Sequence, residues 1–271
     1  MVVGAGLKVS GIAIGGINMS LQNNKSLGQH WLKDRLVLDD IADEAVLDDK
    51  SIQPLCLEIG PGLGTLTSSL LKRFYKVLAV EFDAKLAHNL PKSFPGTNLK
   101  VVNEDILKFN LESIDEKYVV AGNIPYYITS PIITKLLTTE NKPEKIVLLI
   151  QKEVAERILA EPGKHTYLSL SVQNYAFVEP GVVVPKSYFT PPPKVDSATI
   201  ILTPRETPLL KDEVLRFIKR GFSNPRKKLI KNLPYDKEKL KTAFSELMLD
   251  ENVRPSDLSH GEWQKLFDKI I

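Results

Sequence analysis

From Pro54 onward, short continuously apolar runs alternate with stretches whose apolar residues recur every three or four positions. The runs at 55–60, 76–83, 99–106, 117–123 and 144–151 read as strands. The stretches at 64–74, 84–90, 130–139 and 152–160 read as helices, with Pro131 tolerated in a first turn. Strands that are apolar throughout are buried on both faces, so the pattern predicts a mostly parallel sheet covered by helices on each side. Residues 167–176 read as a further helix, and 177–185 and 195–204 as two more strands that pair at the sheet edge, making seven. Beyond Thr207 every segment reads as helix: 209–222, 226–233, 236–249 and 259–271. The change of pattern places a domain boundary near Pro204–Pro208. Residues 26–204 then form an α/β domain and 205–271 a small all-helical one, behind an N-terminal extension at 1–25.

Composition narrows this only a little. The 271 residues are 43% hydrophobic and 25% charged, which excludes wholesale disorder. The net charge of +3 says less than where the charge sits. The lone cysteine, Cys56, lies in an apolar strand pattern and reads as core; one cysteine allows no internal disulfide. No zinc-ligand spacing and no membrane-length apolar run occurs.

The first chemical signal is EIGPGLGTLT at 58–67, between a strand and a helix. Gly60, Gly62 and Gly64 let the backbone turn tightly beside a ligand, and the helix start points amides at it. The spacing is one residue shorter than the dinucleotide G-x-G-x-x-G, and suits a donor such as S-adenosylmethionine better than a pyrophosphate. Glu81 and Asp105 close the next two strands. Each alone would pass for a helix cap. At consecutive strand ends beside a glycine loop, they favour a ribose and an adenine partner respectively.

The second signal is GNIPYYITSP at 122–131. One reading is a turn with a core tyrosine. The other is chemical. An exocyclic adenine amine is a poor nucleophile, because its lone pair is delocalised into the ring. Two acceptors, the Asn123 side-chain oxygen and the Ile124 carbonyl, would aim that lone pair at a methyl group. Pro125 would restrain Ile124, and Tyr126 would stack the flipped base. Such catalysis works by orientation and preorganised dipoles.

Together GQHWL, EIGPGLGTLT, VEFD, NEDIL, NIPYYITSP and PPPKVDSATI resemble the signature set of the rRNA adenine N6,N6-dimethyltransferase family, from about Ser26 to near Asn232. SYFTPPPKVDSATIIL and FSNPRKKLIKNL resemble its small-subunit branch rather than the branch that modifies large-subunit rRNA and confers macrolide resistance. The resemblance implies a Rossmann-like class I methyltransferase sheet and S-adenosylmethionine as cofactor. It implies dimethylation of two adjacent adenosines in a hairpin loop near the 3′ end of 16S rRNA, on an immature small subunit in the cytoplasm. It further implies that Gln29, His30 and Leu32 cover the donor, that Gly60 and its loop cradle the methionine part, and that Glu81 holds the ribose. Asp105 and Ile106 would hold the donor adenine, and Asn123 would sit where donor and target meet. The sequence departs from the family at Leu27 and Trp31, where phenylalanines are usual, and in NPRKKL, where a double arginine is commoner.

Lys211, Arg216, Lys219, Arg220, Arg226, Lys227, Lys228 and Lys231 face only Asp212 and Glu213 in the same stretch. Most charge runs are solvated helix faces. Here Phe217, Ile218 and Phe222 interleave, which gives an amphipathic element with a basic side suited to phosphates, and Arg220, Arg226, Lys227 and Lys228 are the candidate RNA contacts. A monomer without membrane attachment is expected. Two rivals remain at this level: a dinucleotide oxidoreductase, which leaves NIPY unexplained, and a non-catalytic RNA-binding relative. Residues 1–18 read as an extension or a misassigned start, because Met19 opens MSLQNNKSLGQHWL. N-terminal sequencing of the native protein is expected to find Met19 or a later residue; a mature end at Met1 refutes this.

Overall fold

The computed structural model describes residues 30–49 and 53–271. In chain order its strands are β1 (Trp31–Leu32), β2 (Leu55–Ile59), β3 (Val77–Glu81), β4 (Leu99–Asn103), β5 (Tyr118–Asn123), β6 (Ile146–Gln151), β7 (Ala176–Val184), β8 (Phe189–Thr190) and β9 (Ser197–Pro204). Its α-helices are α1 (Arg35–Glu44), α2 (Thr65–Leu70), α3 (Ala84–Asn89), α4 (Thr129–Thr138), α5 (Lys152–Ile158), α6 (Tyr167–Tyr175), α7 (Asp212–Gly221), α8 (Lys237–Glu246) and α9 (His260–Ile270). Seven strands form one sheet in the order β4-β3-β2-β5-β6-β9-β7. The ladders from β4 to β6 are parallel, and β9 runs antiparallel to both its neighbours. No described helix is long and apolar enough to cross a membrane.

The apolar strands are buried on both faces for the expected reason. Leu148 and Ile150 point into a core with Ile132 and Leu136 of α4. Val147 and Leu149 point the other way, toward Leu38 and Ile41 of α1 and Leu66 and Leu70 of α2. Burying each such side chain contributes roughly 1.5–3 kcal/mol. Cys56 is fully buried in the second core. A third core joins α7, α8 and α9 around the buried Trp263, and Leu170 of α6 belongs to it.

Four elements depart from the sequence reading. Helix α1 was not anticipated; Asp34 caps it, accepting from Val37 N at 3.1 Å. Strands β1 and β8 pair with each other apart from the main sheet. The helix expected at 226–233 is only a 3-10 turn, Leu229–Lys231. Pro225 and Pro234 bracket it, and a residue before proline disfavours helical backbone. Asn232 Nδ2 instead donates to the carbonyls of Gly221 at 2.7 Å and Asn224 at 3.0 Å, tying the segment back to the end of α7.

His165 and His260 meet edge to face, 6.1 Å apart, where the loop before α6 touches the start of α9. His260 Nε2 donates to the Leu170 carbonyl at 2.9 Å. Burial holds both imidazoles below their ordinary range, His260 adds repulsion at His165, and Arg205 does so at His260. A histidine with a lowered folded pKa contributes full stability above its unfolded value, about 6.5, and loses it as pH falls through the folded value. Thermal stability is therefore expected to drop between pH 7 and pH 5. His260→Gln, which can still donate to Leu170, is expected to flatten that drop in a melting series. An unchanged pH profile in the variant would show that the pair does not titrate on unfolding.

Candidate active site

The chain runs outward from β2 to β4 and then returns to place β5 on the other side of β2. At such a reversal the strand ends part and leave a crevice. A cavity of about 250 Å³ opens there. It is lined by Gly60 and Gly62 after β2, Glu81 closing β3, and Asp105 and Ile106 after β4. His30, Leu32, Asn123, Ile124, Pro125 and Tyr126 complete it from the other side. Gln29 lies outside the described residues.

Glu81 is buried, yet it caps no helix. Its Oε2 accepts from Gly62 N at 3.0 Å and its Oε1 from Asp83 N at 2.8 Å, and Asp83 takes the role of N-cap of α3. Gly62 reaches this geometry with φ +57°, a backbone that side chains disfavour. Each Glu81 oxygen keeps lone-pair capacity for a second donor. Asn103 Nδ2 clamps the neighbouring turn by donating to the carbonyls of Glu81 at 2.9 Å and Phe82 at 3.0 Å. Asp105 spends Oδ1 on Leu107 N at 2.9 Å, which closes a turn and caps no helix.

Gly64 differs from its loop mates. It does not line the cavity: it caps α2 with φ +81°, and a Cβ there would strike Leu90 and Phe94. Its glycine serves packing and the turn rather than ligand approach.

On the far side, Asn123 Nδ2 donates one hydrogen to the His30 carbonyl at 3.0 Å, which orients the amide and leaves Oδ1 as an acceptor. Pro125 is extended, with φ −60° and ψ 131°. The Tyr126 hydroxyl bonds Ser197 Oγ at 2.7 Å, and its ring stacks near that of His30.

Sequence reasoning gave no role to Glu58, Trp31, Phe82 or Tyr127, which also line the cavity. Glu58 is fully buried, accepts from Thr67 Oγ1 at 2.6 Å through Oε2, and has no partner for Oε1. Burial, with the nearby Glu81 charge opposing ionisation, pushes its carboxyl up to about 8. The signal was an acid set in an apolar strand just before the glycines. Trp31 Nε1 lies 3.4 Å from where a Gly62 Cβ would sit. Phe82 and Tyr127 are exposed aromatic residues at the cavity wall.

The lining fits a cationic adenosyl ligand. Glu58, Glu81, Glu104 and Asp105 line it, and no lysine or arginine does so among the described residues. A pyrophosphate would meet only like charge. A positively charged ligand gives the orphaned Glu58 oxygen a partner, and Ile59, Val80, Ile106 and Leu107 offer apolar walls to a ring.

Residues 20–271 match the family model described as ribosomal RNA adenine dimethylase. The chain belongs to the ribosomal RNA adenine dimethylase family. Among curated relatives of this dimethylase, the ribosomal RNA small subunit methyltransferase A of Rippkaea orientalis is 42% identical over 262 residues, covering 89% of this chain and 95% of the relative. The protein of that name from Bacillus mycoides is 38% identical, covering 91% of each. Among solved structures, a dimethyladenosine transferase from Plasmodium falciparum superposes with a TM-score of 0.74 at 29% identity, covering 88% of this chain and 96% of that one. The 23S rRNA methyltransferase ErmE superposes at 0.70 with 28% identity, covering 89% and 99%. The fold is thus a class I rRNA methyltransferase fold, as the strand pattern and motifs predicted.

Glu58 gives this dimethylase a sign-definite pH dependence. Its folded pKa lies above the unfolded value of about 4.5, so it favours the fold below that value and this benefit is lost as pH rises through about 8. Glu58→Gln is expected to gain melting temperature relative to wild type as pH goes from 5 to 8.5, in the ligand-free protein. Calorimetry is expected to show wild-type affinity for S-adenosylmethionine rising over pH 6.5–8.5, by up to about tenfold per unit, and no such rise in the variant. Parallel profiles would mean that Glu58 does not titrate.

Proposed function

We propose that this cavity is where a methyl group passes from S-adenosylmethionine to the N6 amine of an adenosine flipped out of ribosomal RNA. The protein is an S-adenosylmethionine-dependent methyltransferase of small-subunit (16S) rRNA that dimethylates adenosines. Its relatives of 42% and 38% identity are small-subunit methyltransferases by name. The target we assign is the pair of adjacent adenosines in a hairpin loop near the 3′ end, met on an immature small subunit by a monomer in the cytoplasm.

The observation that carries the reading is Asn123. One of its amide N–H groups is held by the His30 carbonyl, which orients the side chain and leaves its oxygen to accept from an amine at the end of β5, across β2 from Glu81. S-adenosylmethionine supplies an electrophilic methyl group on a sulfonium. The residues arrange everything else. Glu81 accepts from the ribose hydroxyls, Asp105 from the adenine amine, and Ile106 packs on that ring. Gly60 and Gly62 allow close approach, while His30 and Leu32 close the cavity from the opposite side. Asn123 Oδ1 and the Ile124 carbonyl accept from the target amine and turn its lone pair toward the methyl carbon; Pro125 holds that carbonyl in place. Tyr126 stacks the target base. Preorganised acceptors of this sort act without a covalent intermediate.

RNA docking falls to residues 205–271, in the division at Pro204–Pro208. Arg220, Arg226, Lys227 and Lys228 are all exposed there. They would hold phosphates and set register, while the cavity reads the base.

Radiolabelled methyl transfer to small subunits that lack the modification, followed by mass mapping, is expected to give dimethyladenosine at two adjacent loop positions. Asn123→Ala is expected to lower the rate about 100-fold or more, as removing one preorganised polar group does elsewhere. Label on large-subunit RNA instead would move the protein to the resistance branch. Donor binding without label on either RNA would favour a non-catalytic relative.

A further inference from the structure

His30 touches two segments that are remote in sequence, the one from Asn123 to Tyr126 and the one at Pro191. Its backbone carbonyl accepts from Asn123 Nδ2 at 3.0 Å. Its Nδ1 donates to the Pro191 carbonyl at 2.8 Å. Its ring lies 6.0 Å from that of Tyr126, centroid to centroid, with the planes only 20° apart. Tyr126 is also held by its hydroxyl, 2.7 Å from Ser197 Oγ. The ring expected to carry the target base is therefore fixed at its edge and backed on one face.

We propose that His30 is a positioning residue for the target adenine, beyond any contact with the donor: its ring backs Tyr126 and leaves the opposite face as the platform for the base. This rests on the reading of the cavity as the methyl-transfer site. A base slid between the two rings would need about 7 Å, twice the contact distance of ring carbons, and they stand 6.0 Å apart. The adenine must take the open face of Tyr126. With the tyrosine unable to tilt, the plane of the adenine is fixed, and its amine stays in line with Asn123 Oδ1. The same plane serves the second transfer, when the amine already carries a methyl group and a small tilt would misdirect it.

The ring contacts are additional to what holds the segments together. The β1–β8 ladder already pairs Trp31 with Thr190 and Leu32 with Phe189, and Leu32 and Phe189 are buried. The carbonyl that fixes Asn123 belongs to the backbone and survives any substitution at position 30. Changing the side chain thus tests the ring alone.

The test is steady-state methylation of immature small subunits by wild type, His30→Ala, His30→Phe and His30→Asn, with donor affinity by calorimetry and melting temperature for each. Phe keeps the stack and loses the Pro191 bond; Asn keeps a hydrogen-bond donor and loses the stack. Expected for Ala is a fall in kcat of about tenfold, the size of one stacking pair. Because His30 also closes the donor cavity, kcat is read at saturating donor, where any loss of donor affinity does not enter, and the KM for subunits is expected to stay within about twofold. Phe is expected to recover kcat to within about threefold of wild type, and Asn is not. Unchanged kcat in His30→Ala overturns the proposal, as does a loss confined to donor affinity or rescue by Asn rather than Phe. Wild type binding the donor but methylating no subunit would sink the reading of the site, and the proposal with it.

Discussion

The parallel ladder that pairs Leu55–Ile59 with Tyr118–Gly122 sets Glu58 and the glycine loop one strand away from Asn123. A strand pair is rigid because side chains lock it from both faces, here through two separate cores. The glycine loop and Asn123 are therefore held at a fixed separation of one strand, with no hinge between them. What remains to be set is the direction of a few polar groups. The protein does this through hydrogen bonds that occupy part of a group and leave the rest: Asn123 gives one amide hydrogen to His30 and keeps its oxygen, and each Glu81 oxygen takes one backbone amide and keeps a lone pair.

The charge distribution follows from the two ligands. A cavity lined by four acidic side chains and, among the described residues, by no lysine or arginine attracts a cation and repels a phosphate backbone. The basic residues that suit RNA lie on α7 and the segment after it, in a different part of the chain. The buried Glu58 is costly to the ligand-free fold, since one of its oxygens has no partner. Strain of this kind is usual where a site is arranged in advance for a ligand.

Much of this was legible in the sequence, because continuous apolar runs and strand-end acids are one-dimensional signals. The seven-stranded sheet, Glu81, and Asn123 at the end of β5 all lie where those signals put them. The two-residue strands β1 and β8 carry no period and could not be seen; their pairing puts His30 beside Pro191. The segment 226–233 has a helix-like apolar spacing, but its bracketing prolines and the Asn232 side chain prevail over it. Gly64 looked like a ligand-loop glycine because spacing does not distinguish a residue needed for a turn from one needed for approach. Glu58 was hidden in a strand, where an acid has no expected place.

The chain has only two tryptophans. Trp263 is fully buried among α7, α8 and α9, whereas Trp31 stands half-buried over the glycine loop, 3.4 Å from the Cβ position of Gly62. One indole thus sits at the mouth of the donor cavity and the other in a closed core far along the sequence. On the proposed reading of the cavity the protein carries its own optical probe: a ligand beside Trp31 changes that indole's surroundings and leaves those of Trp263 as they are, with no label attached.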